Sequence, residues 1–331
     1  MKKIIYSFVI LLTPCLTIKA QDKVYQYLKT ISLTGKGNWS YMKMDGDRDW
    51  LYVTHQDRVH LIDLKNDSVM VTWTGFKDAE GLWPGKKLNK MYINDAGKNT
   101  VEVYSTNSFT KLRTIPVPAK KLGWLLFDRY SQQAFAFGKE SHNAVIIDAV
   151  TDKITANIPL SGVPEFACTD DTAFVYATIR DKNEIAVIDV AKHKVVKTYK
   201  LMEDKGPTGI TIDVKNDRLM LVCTESNTMV VLSQSTGKKI ASYPIGKNCE
   251  GIIYEKDLHL VITSNGEGSV SIFKQLTADD YQWAQTIKTD PGHKYMCHRG
   301  STHKFYLSGV KTNDAVNSEN FAVEIYNPVM Q

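Results

Sequence analysis

A short pattern returns seven times along this 331-residue chain. VHLID (59–63), VEVYS (101–105), AVIID (144–148), IAVID (185–189), MVVLS (229–233), VSIFK (270–274) and VEIYN (323–327) end 42, 43, 41, 44, 41 and 53 residues apart. A second run stands before each copy: LYVT (51–54), MYIN (91–94), FAFG (135–138), VYAT (175–178), LVCT (221–224), VITS (261–264) and FYLS (305–308). Two more short runs flank each pair, such as NWSYMKMD (38–45) and SVMVTW (68–73) in the first unit; AEGLWPG (79–85) is an irregular copy. Four short strands per unit at a period of about 42, with polar turns between them, are the mark of a propeller blade. The absence of helical periods of ten or more residues excludes parallel βα units. The expected fold is all-β: a seven-bladed β-propeller with four antiparallel strands per blade.

The two ends are expected to meet. The seventh unit lacks an outermost run after VEIYN, while VYQYLKTISL (24–33) precedes the first inner strand and belongs to no unit. Its LKTISL matches the outer run VKTYKL (196–201). The N-terminal strand is therefore expected to complete the seventh blade and to hide edges that invite aggregation. Residues 21–331 read as one domain.

Residues 1–20, MKKIIYSFVILLTPCLTIKA, have the layout of a secretory signal peptide: Lys2 and Lys3, an apolar stretch from Ile4 to Leu12, and Ala20 before the cut. That stretch falls short of the roughly 20 residues a spanning helix needs. A lipid anchor at Cys15 is the alternative, and Pro14 before it fits poorly. Export to the periplasm or the cell surface is expected. The signal carries three lysines and no acid, so the net charge drops from +5 to +2. A near-neutral chain argues against nucleic acid as a partner. Cys168, Cys223, Cys249 and Cys297 match no metal spacing. Cys168 and Cys223 read as small buried apolar residues, and a bridge involving Cys249 stays open.

The run YVT followed by V-x-V-I-D resembles the YVTN β-propeller repeat family. It stands here as YVTHQDRVHLID (52–63) and YATIRDKNEIAVID (176–189), with degraded copies in the other units. The resemblance implies a seven-bladed exported protein. Members of the family include surface-layer and periplasmic binding proteins, and related propellers include lactonases, a streptogramin lyase and corrinoid-capturing surface proteins of gut bacteria. Such a fold does not fix a function.

In a propeller the inner strands line the channel, and their starting ends share one face with the second-to-third-strand loops. We call this the top face. The expected ligand-binding residues there are Trp39, Glu80, Trp83, Trp124, Glu165, Glu250 and Lys294 from the inner strands, with His55, Arg58 and Arg180 from the loops. The seventh loop, 309–320, is longer than its equivalents, and long loops often carry binding. Glu80, Glu165 and Glu250 are spaced by two blades each, so they would converge on the mouth, attract a cationic group and raise one another's pKa. The tryptophans would stack on a flat ligand or pack between blades. His293, His298 and His303 do not converge as a ligand set and read as exposed turn histidines. No nucleophile elbow, zinc helix, P-loop or C-x-x-C is present. Neither catalytic residues, a metal site nor a cofactor are expected. The reading is a monomeric, non-catalytic propeller binding a small molecule or a cell-envelope protein, such as an outer-membrane receptor, at its top face. The alternative is a metal-assisted, lactonase- or lyase-like hydrolase with its site at the channel mouth.

Overall fold

A computed structural model describes residues 23–34, 39–45, 47–310 and 320–329. Residues 1–20, read above as a signal peptide and including Cys15, and most of the long seventh loop lie outside the described residues. Seven four-stranded antiparallel sheets are arranged as blades. Their inner strands are Trp39–Asp45, Ala79–Gly85, Leu122–Asp128, Pro164–Thr169, Pro207–Asp213, Cys249–Glu255 and Met296–Arg299. AEGLWPG, irregular as a copy, is a regular inner strand. The β-branched and aromatic composition of each run suits a pleated, buried surface. Alternating side chains of adjacent blades interlock, as Val101 and Val103 do with Leu125, Ala134 and Ala136.

The N-terminal strand Tyr25–Thr34 pairs antiparallel with Asn320–Pro328 and forms the outer edge of the seventh blade. One core then joins both ends of the chain: Ile31, Leu33, Phe321 and Val323 pack with Met42, Leu51 and Val53 of the first blade. Gln285, from the outer strand of the sixth blade, clamps the closing strand. Its Oε1 accepts from the amides of Val24 and Tyr25 at 2.8 Å each, and its Nε2 donates to the Tyr25 carbonyl at 2.9 Å.

Two backbone devices recur and position the channel. The first six inner strands each carry a register shift near their start, at Trp39/Met42, Ala79/Leu82, Leu122/Leu125, Pro164/Ala167, Pro207/Ile210 and Cys249/Gly251. A bulge re-aims the side chains on it. The last residue of the YVT-type run supports it: Thr54 Oγ1 accepts from the Tyr41 amide at 2.8 Å, and Thr178 Oγ1 from the Phe166 amide at 3.1 Å. Ser264 does the same for Gly251. In the fifth unit the run is displaced: Cys223 pairs with Pro207, so Val222 faces the bulge rather than Thr224. Thr208 supplies a hydroxyl from the bulge itself and donates to the Cys249 carbonyl at 3.2 Å.

The second device closes the turn between the first and second strands. Asp49, Asn89, Gln132, Asp217, His259 and His303 all take left-handed φ values between 50° and 60° just before the second strand. Asn, Asp and His tolerate this region best among residues with a Cβ.

Candidate functional site

The channel is blocked by aromatic rings delivered by the bulges. Tyr41, 2% exposed, reaches from the first blade to Trp124 at 5.3 Å, Phe166 at 5.7 Å and Tyr295 at 4.9 Å between ring centroids. These partners belong to the third, fourth and seventh blades, so the tyrosine crosses the axis. Trp124 adds Phe166 at 4.8 Å and Trp83 edge-on at 5.8 Å, and its Nε1 donates to the Ala167 carbonyl at 3.0 Å. The rings form a floor that divides the channel.

On one side of this floor lies a cavity of about 840 Å³. Its wall runs from the middle of the inner strands to their last residues and on to the first-to-second-strand turns, and it includes Lys43, Trp83, Trp124, Phe166, Cys168, Tyr295, Cys297 and His298. This volume is in the range of drug-sized ligand sites. The cavity therefore opens at the mouth opposite the top face.

Lys43 is a charged side chain set among the aromatic rings of this wall, whose lining also carries Lys86, Arg129, Asp171, Asp213, Glu255 and Asp257. Its Nζ lies 2.9 Å from the centroid of the Trp83 ring. Burial, opposed in part by the Cys297 thiol, lowers its pKa to about 7. When protonated, a lysine so placed is a cation held by a ring face. Burial raises the Cys297 thiol to about 12 and drives Cys168 higher still, so both are protonated. The four cysteines among the described residues are free thiols, Cys249 included.

The acids that end the inner strands serve the turns. Asp128 accepts from the Ser131 amide at 2.8 Å and the Ser131 hydroxyl at 2.6 Å, and Asp170 Oδ1 accepts from the amides of Thr172, Ala173 and Phe174. Such caps satisfy the backbone where the chain reverses. Glu255 is longer: its Oε1 accepts from the Asp257 amide at 3.2 Å, and its carboxylate also meets two histidines. It is 1% exposed, with His303 Nδ1 at 3.3 Å from Oε1 and His298 Nε2 at 3.8 Å from Oε2.

The residues expected from the sequence divide between the two sides. Trp83 and Trp124 line the cavity. Glu80, Glu165 and Glu250 gather at the top face, close enough that all three, after burial itself, push the Tyr295 phenol up, and they act on Tyr41 in the same sense. Two of them already carry cations: Lys139 lies 2.6 Å from Glu165 with Arg180 at 3.7 Å, and Lys294 lies 3.4 Å from Glu250. Arg58 is bound to its neighbour Asp57 at 2.6 Å. His55 is fully buried, with Nδ1 3.3 Å from His60 Nε2, and does not face the channel. Trp39 opens the first inner strand, and its side chain lies outside the described residues.

The histidine reading needs correction. His293 is no exposed turn residue: it is fully buried against Gly309, where a Cβ would lie 1.0 Å from its ring, and its Nδ1 is 3.7 Å from Glu324. His298 and His303 do come together, through a glutamate of the neighbouring blade that strand spacing within one unit does not reveal. Lys43 had a legible signal. It stands where the other inner strands place Trp83, Leu126, Cys168, Thr211, Ile253 and Cys297, and it is the charged member of that set.

No family model and no curated protein matches the chain. The chain is similar in fold to a propeller in a solved structure described as "Crystal Structure of Mitotic Checkpoint Complex", with a TM-score of 0.76 and 10% sequence identity over 99% of this chain and 98% of that one. At that identity the likeness shows the fold alone. Among the described residues, no helix is long and apolar enough to cross a membrane.

Proposed function

We propose that this protein is an exported, non-catalytic binding propeller whose small ligand sits in the channel cavity, on the aromatic floor. One observation carries the reading: an 840 Å³ cavity with an aromatic floor that holds a lysine on the face of Trp83. Trp83, Trp124, Phe166 and Tyr295 offer flat apolar surface, and Lys43 offers a positive or hydrogen-bonding nitrogen beside it. The chemistry suits a flat, largely apolar molecule with an anionic or strongly accepting group. The leader-like residues 1–20 support export, and ligand capture in the periplasm or at the cell surface, with an envelope receptor as partner, follows from it.

Anilinonaphthalene sulfonate, a flat apolar anion, tests the site. Saturable binding of one equivalent to the folded protein is expected, with quenching of tryptophan fluorescence. Lys43→Met is expected to weaken it by about tenfold, the cost of one desolvated cation contact. Binding that ignores Lys43→Met yet falls with Glu165→Gln would move the ligand to the top face and end this reading.

A further inference from the structure

Glu255, Asp257 and His303 form a second constellation at the rim of the cavity. One ligand atom from each lies within 4.8 Å of the others. Glu255 ends the inner strand of the sixth blade, Asp257 stands two residues on in the exposed turn, and His303 precedes the second strand of the seventh blade. The site therefore spans two blades, which is why the spacing of the histidines alone does not show it.

We infer that these three side chains hold a divalent transition-metal ion of the zinc or manganese class, with His298 beside them. Four features carry this. Oxygen and imidazole donors together are the set such ions take. The 3.3 Å between His303 Nδ1 and Glu255 Oε1 fits two ligands on one ion with bonds of about 2.0–2.2 Å. Glu255 is 1% exposed, yet its Oε2 has no hydrogen-bond partner among the described residues. A buried carboxylate oxygen left this way is costly unless something else occupies it. Finally, His303 is fixed from behind: its backbone takes the left-handed turn position at φ 55°, and its carbonyl accepts from Tyr25 Oη at 2.6 Å. Support of this kind holds a ligand's direction. Asp257, exposed on its turn, already places a carboxylate oxygen within 4.8 Å of the other two ligand atoms and completes the set. Because Glu255, Asp257 and His298 also line the cavity, the ion would face its interior.

The test uses the metal alone, so its failure leaves the cavity reading standing. Chelator-treated full-length mature protein is titrated with zinc chloride, and separately with manganese chloride, by calorimetry. One tight equivalent is expected for at least one ion. His303→Ala and Asp257→Asn are each expected to weaken it more than about tenfold. Asp257 is exposed, so its substitution does not threaten the fold. His142→Ala, an exposed histidine of a second-to-third-strand loop, serves as the control and is expected to change nothing. No stoichiometric binding of either ion, or binding that survives both His303→Ala and Asp257→Asn, overturns the site.

Discussion

Replacing Lys43 with methionine is expected to make the protein more stable. The lysine nitrogen has been taken from water into an apolar wall, and its pKa falls from 10.5 to about 7. Each unit of pKa is worth about 1.4 kcal/mol, so this fall corresponds to at most about 5 kcal/mol. The Trp83 face and water at the open mouth are already in place around the nitrogen, and a discount for them leaves about 3 kcal/mol. The sign follows from proton uptake. Between pH 7 and 10.5 the unfolded chain holds a proton on Lys43 that the folded chain has lost, so wild-type stability rises with pH across that window. Below pH 7 both states are protonated and the cost is at its full value. Lys43→Met removes the group from both states. Urea denaturation from pH 6 to pH 10.5 should show the variant ahead by about 3 kcal/mol at the acid end. The gap should close as the pH approaches 10.5. A constant difference at every pH would show that the lysine is not desolvated and would refute the poised charge on the aromatic floor.

Three further outcomes are expected. His60, pressed to a pKa of about 4 by burial and then by His55, stays neutral while the unfolded chain gains a proton below 6.5. Stability should fall as pH drops from 6.5 to 4, by up to about 3 kcal/mol, and His60→Gln should flatten that limb of a denaturation profile. Gln285→Ala removes three hydrogen bonds from the closing strand; a loss of about 3 kcal/mol is expected, with faster amide exchange confined first to residues 23–34. Unchanged exchange there would mean that the clamp does not seal the ring. Tyr41→Ala should cost about 3–5 kcal/mol by calorimetry and open the floor, since its ring contacts three blades across the axis.

Much of the fold could be read from the chain because a blade is a local object. Its four runs, its turns and its period lie within some 42 residues, and the matching of LKTISL to VKTYKL located the closing strand. The channel could not be read in the same way. Whether a side chain near the start of an inner strand faces the axis depends on a bulge, and a bulge leaves no period of its own. Tyr41 reads as one more strand aromatic, yet the bulge turns it across the axis. Glu255 reads as one of several acids ending inner strands. Only the neighbouring blade, which brings His298 and His303 to it, sets it apart. Contacts between blades join residues of different units, such as Glu255 and His303, where one sequence carries no register.

The two mouths differ in what a ligand would have to displace. At the top face the carboxylate of Glu165 is buried and bound to Lys139 and Arg180. Drawing both cations away would strand that charge, a loss on the order of 3–5 kcal/mol before any new contact forms. A cationic guest there competes with bonds the protein already makes. In the cavity the position is reversed. Among the described residues Lys43 makes no ion pair and meets a ring face, and a guest that supplies an acceptor would restore solvation the fold removed. The rigid seven-blade ring holds that lysine and the aromatic floor in place before binding, so little ordering remains for the encounter. Costly desolvation retained inside a scaffold otherwise so consistent is where a binding function is best sought.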